Sequence, residues 1–176
     1  MKRSFDLRLI IILVAAVIYT ITSTAQKVEK LDSTPHDIAY YRTSKIDTPL
    51  VKVLYGRPTH KKNVQIFGAE VPFNEIWRTG ANEATEIKIY KDVMFGNKLV
   101  SAGTYVIYTI PNKDQWEVIL NSNTDVLGAY QYDSIFDVVR IKVPVTKAEN
   151  MATFSIGFNK VAEKNITMVF AWASPE

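Results

Sequence analysis

Cysteine is absent from the 176 residues. That excludes disulfides, thiolate metal sites and a lipid anchor on cysteine. Histidine is almost absent. His36 and His60 are separated by 23 residues, which is no metal-ligand spacing even with Asp37 beside His36. No strand-to-helix elbow places a nucleophile near either histidine, so a serine-type triad has no foundation. No metal and no cofactor are expected. Sustained 3.6-residue periodicity is missing beyond the N-terminal segment, as are internal repeats and low-complexity tracts.

Excess charge is also scarce. The formal net charge is +3 and the isoelectric point about 9.0, but part of that excess sits at the N-terminus. Lys2, Arg3 and Arg8 precede an apolar run of 11 residues, Leu9–Tyr19, and Ser23 and Ala25 are small residues at the −3 and −1 positions of a cut before Gln26. The run is shorter than the roughly 20 residues that span a bilayer. A signal peptide over residues 1–25, cleaved after Ala25, is therefore expected, and with it a periplasmic or secreted location and no stable membrane span. No twin-arginine pair is present. Removing Met1–Ala25 takes away Lys2, Arg3, Arg8 and Asp6, which leaves 18 basic and 17 acidic residues, a net charge of +1. A near-neutral domain gives no electrostatic reason to expect nucleic acid.

What is present is strand pattern. Residues 26–49 read as a polar lead with an edge strand beginning near Tyr40-Tyr41-Arg42. Leu50–Tyr55 alternates, and Gly56-Arg57-Pro58 ends it. Residues 68–83 read as one long ordered loop, a setting in which function concentrates. Thr85–Tyr90 alternates. Val93–Val100 reads as a hairpin around Gly96-Asn97. Thr104–Ile110 is apolar on both faces, as a central strand is. Trp116, Val118 and Leu120 share one face. Residues 121–137 form a second long connection. Val139, Ile141, Val143 and Val145 point inward with Arg140 and Lys142 outward, Phe154/Ile156/Phe158 and Met168/Phe170/Trp172 form two further inward rows, and residues 146–151 leave room for one helical turn. Many short strands with frequent turns predict an all-β fold: a single antiparallel β-sandwich, jelly-roll-like, or a partly open barrel, over residues 50–176.

The chemistry-bearing stretch is Trp77-Arg78-Thr79-Gly80-Ala81-Asn82-Glu83-Ala84-Thr85. With Arg57 it supplies two guanidinium forks suited to carboxylate or phosphate, an amide, and a carboxylate able to accept hydrogen bonds or act as a base. One reading is a pocket for a small anionic or polyhydroxylated ligand, formed by Arg57, Arg78, Asn82 and Glu83 and walled by Tyr55, Trp77 and Tyr105. A second is a structural or envelope-interaction protein in which Arg78 and Glu83 satisfy each other and Asn82 caps a turn, so that the loop only braces the fold. A third is a hydrolase using Glu83 or Glu75. Carboxylate pairs among Glu75, Glu83, Glu86 and Asp92 would have to face each other across a cleft for that. Asp125, Tyr130 and Tyr132 offer a second surface of the kind that suits sugar faces. Asn165-Ile166-Thr167 matches a glycosylation acceptor.

The runs Tyr55-Gly56-Arg57-Pro58, Ile66-Phe67-Gly68, Val71-Pro72-Phe73 and Trp77–Thr85, followed by Gly96-Asn97-Lys98-Leu99, Ala102-Gly103-Thr104-Tyr105, Thr109-Ile110-Pro111 and Gly128-Ala129-Tyr130, resemble the DUF2911 family of exported proteins of Bacteroidota and relatives. The resemblance covers nearly all of the chain after residue 25. It implies a β-rich domain and no established activity, so it transfers no catalytic residue. Three departures stand out. Lys61-Lys62-Asn63 replaces a Lys-Gly-Arg turn, and Leu127 stands where tryptophan often precedes Gly-Ala-Tyr. A further strand usual after the Ala171-Trp172 position is lacking before Glu176, which would leave an edge or gap in the sheet.

Overall fold

The computed structural model describes residues 33–61, 64–147 and 151–173. The expected export signal, the first part of the lead and the centre of the expected helical turn near 146–151 lie outside the described residues.

The described chain is all-β and antiparallel. β1 (His36–Tyr41), β2 (Val51–Gly56), β3 (Thr85–Ile89), β6 (Gly103–Ile110), β7 (Gln115–Asn121) and β8 (Asp137–Pro144) form one six-stranded sheet in that order. β4 (Val93–Phe95) and β5 (Lys98–Val100) form a small hairpin inserted between β3 and β6. β9 (Met151–Lys160) and β10 (Ile166–Ala173) form a second, two-stranded sheet. The large sheet does not close into a barrel, because its edges β1 and β8 do not pair with each other. The architecture is an open sandwich. Its first edge strand starts at His36, upstream of the position the sequence pattern suggested, and the only helical turn among the described strands is a 3-10 turn over Ser134–Phe136.

Alternation places the core. Val51 and Val53 of β2, Ile87 and Ile89 of β3, Ile107 of β6, Trp116, Val118 and Leu120 of β7 and Val139 of β8 are buried on one face. Phe154, Ile156 and Trp172 of the two-stranded sheet cover them. β6 is the central strand its sequence predicted. Val106 and Tyr108 point to the opposite face, where Ala84, Ile119 and Val126 complete a second apolar cluster. That second core corrects the one-faced reading of β7. The connection 122–133 folds over the outer face, so Ile119 is as buried as its neighbours, with no exposed surface.

β8 follows its predicted alternation through Val143. Val145 does not: it lies one residue past the strand, is 44% exposed, and uses its backbone N–H on the Asp114 carbonyl (2.9 Å). Arg140 is not a merely solvated outward residue either. Asp137 accepts from Arg140 Nε (2.8 Å), from Tyr132 Oη (2.9 Å) and from Asn121 Nδ2 (2.8 Å), while Arg140 also bonds the Tyr132 hydroxyl and reaches Glu117 at 3.4 Å. Asn121 is fully buried and gives a second bond to the Asp133 carbonyl (2.9 Å). This network ties β7 and β8 to the covering loop. Asp137→Ala strips the acceptor from three donors and is expected to cost about 2–3 kcal/mol, the range for bonds to a charged group. Arg140→Ala leaves Asp137 two neutral donors, so its cost in denaturant melts should be about 1 kcal/mol.

The same network predicts an alkaline limit. Burial, followed by the hydrogen bond and charge of Asp137, pushes the Tyr132 phenol up to about 12 from 10.0. Burial also raises Tyr108, with Asp137 again adding to the effect. Between those two values the unfolded chain loses the Tyr132 proton while the folded chain keeps it. Stability is therefore intact below pH 10 and falls as pH climbs toward 12. Melting temperature followed across that window should drop less steeply in Tyr132→Phe than in the unaltered protein. Equal slopes would contradict the assignment.

Candidate functional site

The loop before β3 is held by backbone bonds before any side chain acts. Trp77 exchanges two bonds with Thr109 of β6, Trp77 N–H to Thr109 O at 2.8 Å and Thr109 N–H to Trp77 O at 2.9 Å. The Trp77 segment thus continues the line of β3 along β6, and residues 78–84 bulge out between the two paired points. Thr85 N–H closes the bulge on the Arg78 carbonyl (3.2 Å). Inside it, the fully buried Thr79 gives its hydroxyl to Thr109 Oγ1 (3.1 Å), and Thr85 Oγ1 donates to the Thr79 carbonyl (2.8 Å).

Thr79 takes φ +57 and Asn82 φ +63, the left-handed region. For a β-branched residue such as Thr79 this costs about 1–3 kcal/mol, which the surrounding bonds must offset. Gly56 makes the bulge possible. Ala81 N–H reaches the Gly56 carbonyl at 3.3 Å, and a Cβ on Gly56 would stand 2.0 Å from the Ala81 carbonyl oxygen.

The side chains divide. Trp77 is a core residue. Its ring lies 5.2 Å from Phe154, 6.0 Å from Trp116, and 6.2 Å from both Phe67 and Trp172. Tyr55 is 3% exposed and meets Phe154 edge-on. Tyr105 gives its hydroxyl to the Ser101 carbonyl (2.9 Å) beside a turn. Trp77 and Tyr55 thus serve the core and Tyr105 a turn, where the sequence reading expected walls of a pocket. Successive strand side chains alternate, and core burial claims aromatics with no polar duty first.

Arg57, Asn82 and Glu83 are joined to β1 and the residues before it. Arg57 Nη1 pairs with Asp37 (3.0 Å), and Arg57 Nε donates to the Phe154 carbonyl (3.4 Å). Asn82 Nδ2 donates to the Thr34 carbonyl (3.4 Å), and Glu83 pairs with His36 Nε2 at 2.9 Å. The expected Arg78–Glu83 brace is absent. Sequence reading could not find the true partners, because strand pairing of β1 with β2 (His36 opposite Gly56, Asp37 opposite Tyr55) is what delivers them. Glu83 has 62% of its side chain exposed, and Glu75 is exposed. Neither has the dry surroundings that favour a general acid.

Arg78 points away from Trp77, toward the outer face and the covering loop. Its Nε is shut off from solvent and has no hydrogen-bond partner, and no ion pair among the described residues includes it. Its Cδ lies 3.8 Å from the position a Cβ would take on Gly128, while the Tyr130 ring lies 3.2 Å from the same point. Gly128 takes φ +63 and has no side chain, which lets the Arg78 stem and the Tyr130 ring flank one stretch of backbone. The structure therefore joins Arg78 to Gly128-Ala129-Tyr130, a run that sequence reading kept apart. The buried Tyr108 hydroxyl, on the same outer face of the sheet, is likewise without a partner.

An open cleft of about 430 Å³ lies elsewhere, with Phe67, Phe73, Lys113, Trp116 and Trp172 among its lining, and none of the loop residues 77–85 lines it. Among the described residues no group of three or more His, Asp or Glu side chains could hold a metal ion, and no helix is long and apolar enough to cross a membrane.

Fold and site together define an all-β sandwich with a strained, backbone-locked polar bulge beside its central strand. The chain belongs to the DUF2911 family, described as a protein of unknown function, whose family model matches residues 34–176. Searches of the curated proteins and of the solved structures each return no match.

Proposed function

We propose that the protein is an exported binding module that holds a small anionic or polyhydroxylated ligand on the Arg78 side of the Trp77–Thr85 bulge. The observation that carries this is the state of Arg78. Each other polar side chain singled out in the bulge region, Arg57, Asn82 and Glu83, has a protein partner. Arg78 is half-buried, with Nε sealed and unbonded. No hydrogen bond or ion pair among the described residues uses the two terminal nitrogens of the guanidinium, and unlike Nε they are not sealed from solvent. A ligand carboxylate, phosphate or vicinal diol reaches those terminal nitrogens from the solvent side, and the planar fork favours two-point contact there. The backbone strain at Thr79 fits the same reading, since strained residues cluster where side chains are held for a ligand.

Export rests on Lys2, Arg3, the Leu9–Tyr19 run and the Ser23/Ala25 pair. On this reading the module works in the periplasm or outside the cell.

A second reading, a structural or envelope-interaction protein, draws on the pairs Arg57–Asp37 and Glu83–His36, which do fasten the bulge to β1. The hydrolase reading through Glu83 or Glu75 has no comparable observation behind it.

Thermal-shift screening of small carboxylates, phosphates and sugars separates the first two. A ligand at about 100 times its dissociation constant adds about 2.7 kcal/mol of apparent stability. The binding reading expects at least one class to raise the melting temperature and Arg78→Lys to abolish that rise. A flat response from every class would favour the structural reading.

A further inference from the structure

Resting on the binding reading above, we propose that the ligand at Arg78 is an acidic sugar, a pyranose ring carrying a carboxylate, and that Tyr130 is the surface on which the ring lies.

Tyr130 is 86% exposed, the most open aromatic side chain among the described residues. It packs on Gly128, whose positive φ turns the chain back, and a Cβ at that glycine would touch both the ring at 3.2 Å and Arg78 Cδ at 3.8 Å. The Tyr130 ring and the Arg78 stem thus stand within 4 Å of one point, and the guanidinium at the end of that stem has no protein partner among the described residues. Leu127, 58% exposed, precedes the glycine and adds apolar surface. The loop is held to the bulge by Ala84 N–H on the Val126 carbonyl (3.1 Å) and by pairing of Glu83 with Leu127, which keeps the backbones that carry Tyr130 and Arg78 together.

The ligand class follows from what each part can do. Arg78 offers a bidentate fork for one carboxylate. The Tyr130 face accepts the C–H face of a sugar while the hydroxyl rim stays in water, which suits a surface walled on one side only. Inorganic phosphate or a simple carboxylate would use Arg78 and leave Tyr130 idle. A neutral sugar would use Tyr130 and leave the guanidinium unpaired.

The test is calorimetric titration of the purified protein and of Tyr130→Ala, Tyr130→Phe and Arg78→Lys with D-glucuronate, D-glucose, acetate and inorganic phosphate. Glucuronate should bind at least about ten-fold more tightly than any other probe, because only it uses both groups. Tyr130→Ala should weaken glucuronate by about ten-fold, leave acetate unchanged and leave ligand-free melting unchanged, while Tyr130→Phe keeps glucuronate binding. Arg78→Lys should weaken glucuronate and acetate alike. Equal binding of glucuronate and acetate, indifferent to Tyr130 but lost in Arg78→Lys, would overturn the sugar assignment and keep the anion site. Binding of none of the probes, or binding that Arg78→Lys does not change, would overturn both.

Discussion

Gly56→Ala is expected to cost at least about 3 kcal/mol, beyond ordinary overpacking, because the new methyl has nowhere to go. Its Cβ would stand 2.0 Å from the Ala81 carbonyl oxygen and 2.8 Å from the Ala81 carbonyl carbon. Those are backbone atoms. A flexible side chain could swing aside, but Ala81 is fixed by its N–H bond to the Gly56 carbonyl and by the left-handed residues on both sides of it, Thr79 and Asn82. Relief therefore requires the bulge to lift off β2, which breaks that bond and loosens the bonds of Thr79 with Thr109 and Thr85. Denaturant melts should show a large loss in midpoint. A loss under about 1 kcal/mol, an ordinary surface effect, would mean that the bulge is not seated on β2 as described.

Trp77→Ala is the second large effect, expected at about 3–5 kcal/mol as for other buried aromatics. Trp77 is 9% exposed and touches four rings from three parts of the chain: Phe67 from the connection between β2 and β3, Trp116 from β7, and Phe154 and Trp172 from the covering sheet. Removing it opens a cavity between the two layers and frees the start of the bulge. Trp77→Phe keeps an aromatic body and should recover part of the loss. A small effect for Trp77→Ala would separate the bulge from the core and undo the division between Trp77 and Arg78.

That division was half legible in the sequence. The apolar rows of β6, β7 and β8 give their inner faces directly, and a tryptophan followed by arginine in extended chain must send the two side chains apart. The partners were not legible. Arg57–Asp37 and Glu83–His36 depend on the register of β1 against β2, and β1 begins in polar sequence with only a modest strand signal. The second core was hidden because Ile119, Val126 and Tyr108 are separate apolar residues until the loop 122–133 folds over them. Gly56 reads as the end of a strand. Nothing local shows that another backbone passes over it. Gly128 and Arg78 likewise meet only through the pairing of Glu83 with Leu127.

The most direct test of the central claim, that Arg78 is held for a ligand and Trp77 for the fold, is the unfolding free energy of ligand-free Arg78→Ala. Arg78 has no ion pair to lose, and its sealed Nε has no hydrogen bond to break. The expected result is a change within about 0.5 kcal/mol, or a gain in stability, since the substitution removes an unpaired buried donor without orphaning a carboxylate. A loss of about 3–5 kcal/mol, the signature of breaking a buried charge pair, would contradict it and make Arg78 part of the architecture.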